Sequence, residues 1–136
     1  MLAKRVNINK ESSLMRWFND NDFMCKCKTN DGKSCGFDCS DKFKQKVDEA
    51  RELAGVPFVI TSGARCLEYN RSIGSKDTSS HVKGLAADIK YKDDLHLTRI
   101  VHALSRVGFT RIGVNKDKKF IHVDYDKDKV DAVFGY

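Results

Sequence analysis

His81, Asp88 and His122 have the types and spacing that a divalent metal requires. His81 and Asp88 fall inside Ser79-Ser80-His81-Val82-Lys83-Gly84-Leu85-Ala86-Ala87-Asp88, an S-x-H-x-x-G-x-A-x-D pattern. His122 lies in Phe120-Ile121-His122-Val123-Asp124, an H-x-D inside an apolar stretch. Two imidazoles and a carboxylate form the three-ligand set of a catalytic zinc, whose fourth position is left to water. At average residue frequencies, the five fixed letters of the first pattern arise by chance in about one chain of this length in ten thousand. The competing reading is a turn histidine and two buried, hydrogen-bonded strand residues, since a buried carboxylate needs a partner in any case.

These residues need rigid carriers. Leu85–Tyr91 reads as a strand with Ala86, Asp88 and Lys90 on one face. Phe109–Val114 and Lys119–Tyr125 read as a β-hairpin around residues 115–118. Its second strand puts Phe120, His122 and Asp124 on one face. The gap between His81 and Asp88 is too long for adjacent helical turns, so His81 is expected to reach in from a loop. Pro57 opens a further strand, Phe58–Thr61, rich in β-branched residues. Helices are expected over residues 12–19, 41–54, 67–72 and 94–107. The second is capped by Ser40 and ended by Gly55, and Gly108 closes the last. The fold class implied is α+β, with a small, mainly antiparallel sheet carrying the site and two or three helices flanking it.

At 136 residues with 40% hydrophobic residues, the chain is expected to be one domain with one modest core. An N-terminal helix and a Cys-rich loop would occupy residues 1–40, and the core 41–136. The longest apolar run, Val56–Ile60, is too short to span a membrane. The first ten residues lack the apolar stretch of a signal peptide. The net charge of +6 comes from 25 basic and 19 acidic residues. Bases and acids interleave, as in Asp126-Lys127-Asp128-Lys129, which reads as solvated surface and not as a nucleic-acid motif. His96 and His102 read as ordinary surface residues.

Four of the five cysteines crowd into Cys25, Cys27, Cys35 and Cys39. Two disulfides, a structural zinc held by four thiolates, and free thiols all fit that spacing. Cys66 reads as a small buried residue or a disulfide partner.

The two motifs, with Thr61-Ser62-Gly63-Ala64-Arg65-Cys66 and Asn70 before them, resemble the zinc murein peptidases of the D-alanyl-D-alanine carboxypeptidase type. That group shares its core with vancomycin-resistance dipeptidases, phage L-alanyl-D-glutamate endolysins and the hedgehog signalling domain. The resemblance covers about residues 55–125 well and the N-terminal part only loosely. It implies Zn²⁺ on His81, Asp88 and His122, Arg65 binding an acyl or carboxylate group of the substrate, and Ser79 close to the metal or capping its turn. Better-known members carry an acid or His a few residues before the last ligand, commonly three, where this chain has Lys119. Asp124 is therefore the expected general base, with orientation of His122 as its alternative.

The expected function is a zinc peptidase of peptidoglycan stem peptides, cutting next to D-alanine. An L-alanyl-D-glutamate endopeptidase is the alternative, and a zinc-containing wall-binding module without catalysis is another. A nucleic-acid-binding zinc protein rests only on charge and cysteines. A monomer is expected, made in the cytoplasm without a signal peptide and acting on the cell wall, as a phage lysin or virion-borne enzyme does.

Overall fold

The computed structural model describes residues 15–136. Helix α1 (Asp41–Ala54) starts where the Ser40 side chain accepts the Phe43 N–H, and Gly55 ends it in the left-handed region. Strand β1 (Val59–Ser62) follows, then the short helix α2 (Leu67–Ser72). A 3-10 turn, Ser80–Lys83, leads into β2 (Ala86–Lys90). Helix α3 (Asp94–Arg106) is capped by Asp93 and crosses to β3 (Arg111–Asn115), which turns back as β4 (Phe120–Asp124). A last strand, β5 (Ala132–Gly135), was not foreseen; it lies parallel to β3.

The sheet order is β1-β2-β4-β3-β5, antiparallel except for the last pair. The fold is thus the expected α+β arrangement. Alternation divides the sheet into two chemically different faces. Ala87, Ile89, Ile112, Ile121 and Val123 belong to one buried cluster with Phe43, Val47 and Ala50 of α1 and with Ile100, Ala103 and Leu104 of α3. Each fully buried Val, Ile, Leu or Phe side chain among them contributes about 1.5–3 kcal/mol of hydrophobic stabilisation. The other face of the central strands carries Asp88, His122 and Asp124.

The N-terminal stretch differs from its expected form. Residues 12–14 of the expected helix lie outside the described residues. Residues 15–19 are bent, not helical, and Asn19 instead caps a 3-10 turn at Asp20–Phe23. Packing of single side chains overrides helical periodicity here. Trp17 donates Nε1–H to Glu52 and stacks under the Arg51 guanidinium, while Phe18 and Phe23 pack edge to face. Phe23 continues through Phe43 and Phe109 to Tyr125 in a chain of edge-to-face rings, which ties this segment to the core.

Candidate metal centre

In the register of β2 and β4, Asp88 stands directly opposite His122. Both project from the face away from the helices, so one carboxylate and one imidazole meet without any loop. His81 comes from the 3-10 turn. Ser79 Oγ accepts the His81 N–H, and Gly84 closes the turn at a φ of 71°. A Cβ at Gly84 would stand 2.9 Å from the Asp38 carbonyl oxygen, so both backbone shape and space call for glycine.

His81 Nε2 and His122 Nδ1 each lie 3.3 Å from Asp88 Oδ1. The ligating atoms of the three residues all lie within 4.8 Å of one another. The remaining ring nitrogens are both engaged. His81 Nδ1–H donates to the Gly63 carbonyl at 2.7 Å, and His122 Nε2–H donates to Asp124 Oδ2 at 2.7 Å. These bonds fix the tautomers and leave one lone pair of each ring aimed inward, the arrangement that metal-bound histidines adopt. The donor set therefore fits a zinc ion.

The charges suit a cation as well. Burial works to raise the Asp88 carboxyl, but hydrogen bonds from His122 and His81 outweigh it and hold the group well below the usual carboxylate range. Burial also works against a charged His122, yet Asp124 and Asp88 reverse this and raise it above an ordinary histidine. The two carboxylates thus draw positive charge to this ring, and a metal must displace a proton from it to bind.

Asp124 does not face the pocket. It sits one alternation beyond His122, behind the ring, with 1% of its surface exposed. Its oxygens also accept from Arg111 Nε, at 2.9 and 3.1 Å, and from the Asp126 N–H. Strand alternation reads its face correctly but not the direction in which its carboxylate reaches.

The pocket over the three residues is lined also by Arg65, Ile73, Ser75, Ser79, Phe120 and Tyr136. Arg65 is held on several sides. Its Nε–H donates to Ser62 Oγ, one Nη to Asn70 Oδ1 at 3.1 Å, and the other meets Asp88 Oδ2 at 3.5 Å. Asn70 is fully buried and also donates to the Lys76 carbonyl. Lys119 points elsewhere, donating to the Lys92 carbonyl, and His96 donates from Nε2 to the Pro57 carbonyl. The Tyr136 phenol is raised by burial and by the Asp88 charge, which keeps it protonated.

Three supports went unread. Gly63 offers a carbonyl, which no side-chain motif announces. Arg111 is one base among many. Asp126 belongs to the charge run read as solvated surface, yet it is 3% exposed. The structure corrects that reading: Asp126 accepts from Ser80 Oγ at 2.7 Å and pairs with Lys83 at 3.0 Å, gripping both ends of the turn that presents His81.

The cysteines also regroup. Cys25, Cys27, Cys35 and Cys66 bring their sulfurs within 4.8 Å of one another. Cys39 lies apart, buried against the Phe23 and Ala86 carbonyls. All five are free thiols.

A family model described as Peptidase M15 matches residues 16–124. The chain belongs to this family, whose members are zinc-dependent peptidases. No curated protein matches it significantly. Among the described residues, no helix is long and apolar enough to cross a membrane.

Proposed function

We propose that this M15 peptidase hydrolyses bacterial cell-wall peptides next to D-alanine, with its zinc on His81, Asp88 and His122. The observation that carries the reading is the convergence of those three ligating atoms within 4.8 Å at the floor of a pocket. Bound there, zinc would polarise the scissile carbonyl and lower the pKa of a bound water to about 7.

The chain's own groups divide the remaining work. Gly63 and Asp124 hold the two imidazoles in the ligating tautomer. Asp124 is thereby a positioning residue in this reading, acting through His122 in place of the base role expected from its strand face. Arg65 presents a guanidinium already oriented by Ser62 and Asn70, which suits the carboxylate of a peptide C-terminus. That fit favours a carboxypeptidase over an endopeptidase. The protonated Tyr136 phenol supplies a neutral donor for the oxygen on which charge develops. Ser79 shapes the pocket through its cap on His81 and offers a hydroxyl to substrate.

Purified muropeptides, digested and read by mass spectrometry, test the proposal. Loss of terminal alanine that requires zinc and disappears in His81→Ala is the expected result. Cleavage between L-alanine and D-glutamate would move the assignment to an endopeptidase. Binding to wall material without any metal-dependent cleavage would replace both with a wall-binding module.

A further inference from the structure

The structure assigns a second metal site to this chain: we propose that Cys25, Cys27, Cys35 and Cys66 hold a structural zinc ion as a tetrathiolate. Four sulfurs mutually within 4.8 Å match the donor count and compactness of a closed tetrahedral zinc site, which leaves no position for substrate. All four are free thiols, so each is available to ligate.

Backbone geometry gives independent support. The Cys35 N–H donates to Cys27 Sγ at 3.2 Å, and the Cys66 N–H to Cys25 Sγ at 3.3 Å. The Tyr69 N–H donates to Cys66 Sγ at 3.4 Å. Amide donors aimed at sulfur stabilise thiolate charge, as ligand-orienting hydrogen bonds do at metal sites. Four thiolates around a divalent ion leave about −2 of charge. The exposed Lys26, Lys28 and Lys33, interleaved with the cysteines, offset it.

The segment that carries three of these ligands has little else to fix it. Residues 24–39 contain no helix or strand. Phe37, Asp38 and Cys39 anchor the far end of the segment through core packing and the Lys44–Asp38 ion pair. Between Cys25 and Phe37 the shape rests on turn bonds such as Cys25 N–H to the Phe37 carbonyl and Thr29 N–H to the Lys33 carbonyl, both at 2.8 Å. The fourth ligand, Cys66, follows Arg65 directly. A zinc here would staple the loop of residues 25–35 to the segment that presents Arg65 to the pocket. Its role is to hold that segment, not to react.

Zinc counting on protein purified under reducing conditions tests the site. Wild type is expected to hold two zinc ions per chain, and Cys35→Ser and His81→Ala one each. Cys35 is exposed, which makes its substitution tolerable to the fold. Should that variant fail to fold, cobalt-substituted wild type gives a second readout, an intense thiolate-to-cobalt charge-transfer band that persists in His81→Ala. A chain with one zinc that survives His81→Ala but not Cys35→Ser would support the cysteine site while removing the catalytic one. One zinc that His81→Ala abolishes would overturn the proposal. So would an intact mass showing the four thiols paired as two disulfides.

Discussion

His122 Nε2–H donates to Asp124 Oδ2 at 2.7 Å, and that bond decides which nitrogen of the ring faces Asp88. Two residues apart on β4, the pair shares one face, and the carboxylate reaches back along the strand to the ring. Asp124→Asn keeps the volume but removes the charge that holds the tautomer. Zinc affinity is expected to fall about 10–100-fold, with the fold intact by circular dichroism. Competition with a chelator measures it, and an unaltered affinity would refute the positioning role.

Asn70 is the buried partner that aims Arg65. Asn70→Ala leaves a guanidinium N–H without its acceptor, a loss of about 1–3 kcal/mol. Steady-state kinetics on a peptide with a free carboxylate should show KM rising about tenfold, more than kcat falls. A substrate amidated at that carboxylate should be almost insensitive to the substitution. Equal effects on both substrates would argue against carboxylate binding by Arg65.

Asp126 ties the His81 turn to the end of β4. Burial works to raise its carboxyl, but hydrogen bonds from Ser80 and Lys83 and the Asp128 N–H lower it overall. A carboxyl depressed in the folded state adds stability above its unfolded pKa of about 4. That contribution fades as pH falls through the lower folded value. Asp126→Asn should therefore cost about 1–3 kcal/mol near neutrality, and the gap to wild type should shrink below about pH 4. Urea unfolding of the two proteins across pH 3–7 checks the sign. A gap that widens in acid would contradict it.

Gly63 lies against the Phe23 backbone, where an added Cβ would stand 2.4 Å from the Phe23 oxygen. A backbone neighbour cannot rotate away, so Gly63→Ala should destabilise by about 1–3 kcal/mol. The same carbonyl holds His81 Nδ1. A lowered melting temperature should therefore come with weaker zinc binding, whereas a change in one without the other would separate the two roles.

Tyr136 brings the only phenol among the residues lining the pocket. Tyr136→Phe keeps the ring contacts with Phe120 and Phe134 and removes the donor. A fall of about tenfold in kcat is expected, the scale of one hydrogen bond, with zinc content unchanged. Full activity in the variant would exclude the hydroxyl from the reaction.

Much of this was legible in the chain itself. Helix caps such as Ser40 and Gly55, the alternation of Leu85–Tyr91 and the periodicity of α3 are local patterns, and local backbone preferences act over a few residues. The two motifs carrying His81, Asp88 and His122 are likewise short-range, because turn shape and strand alternation govern each separately. Other features depended on which distant segments pack together. Cys66 and not Cys39 completes the sulfur cluster, because the strand-to-helix loop after β1 brings the Cys66 N–H to Cys25 Sγ while Cys39 is drawn into the core. Asp126 looks solvated in a run of charges, but the turn at Ser80–Lys83 closes over it. Asp124 faces away from the pocket because Arg111 of the neighbouring strand and the ring of His122 claim its oxygens. Spacing along a chain prescribes side-chain types and faces, whereas the partners a buried charge finds are set only when remote elements share one low-dielectric interior.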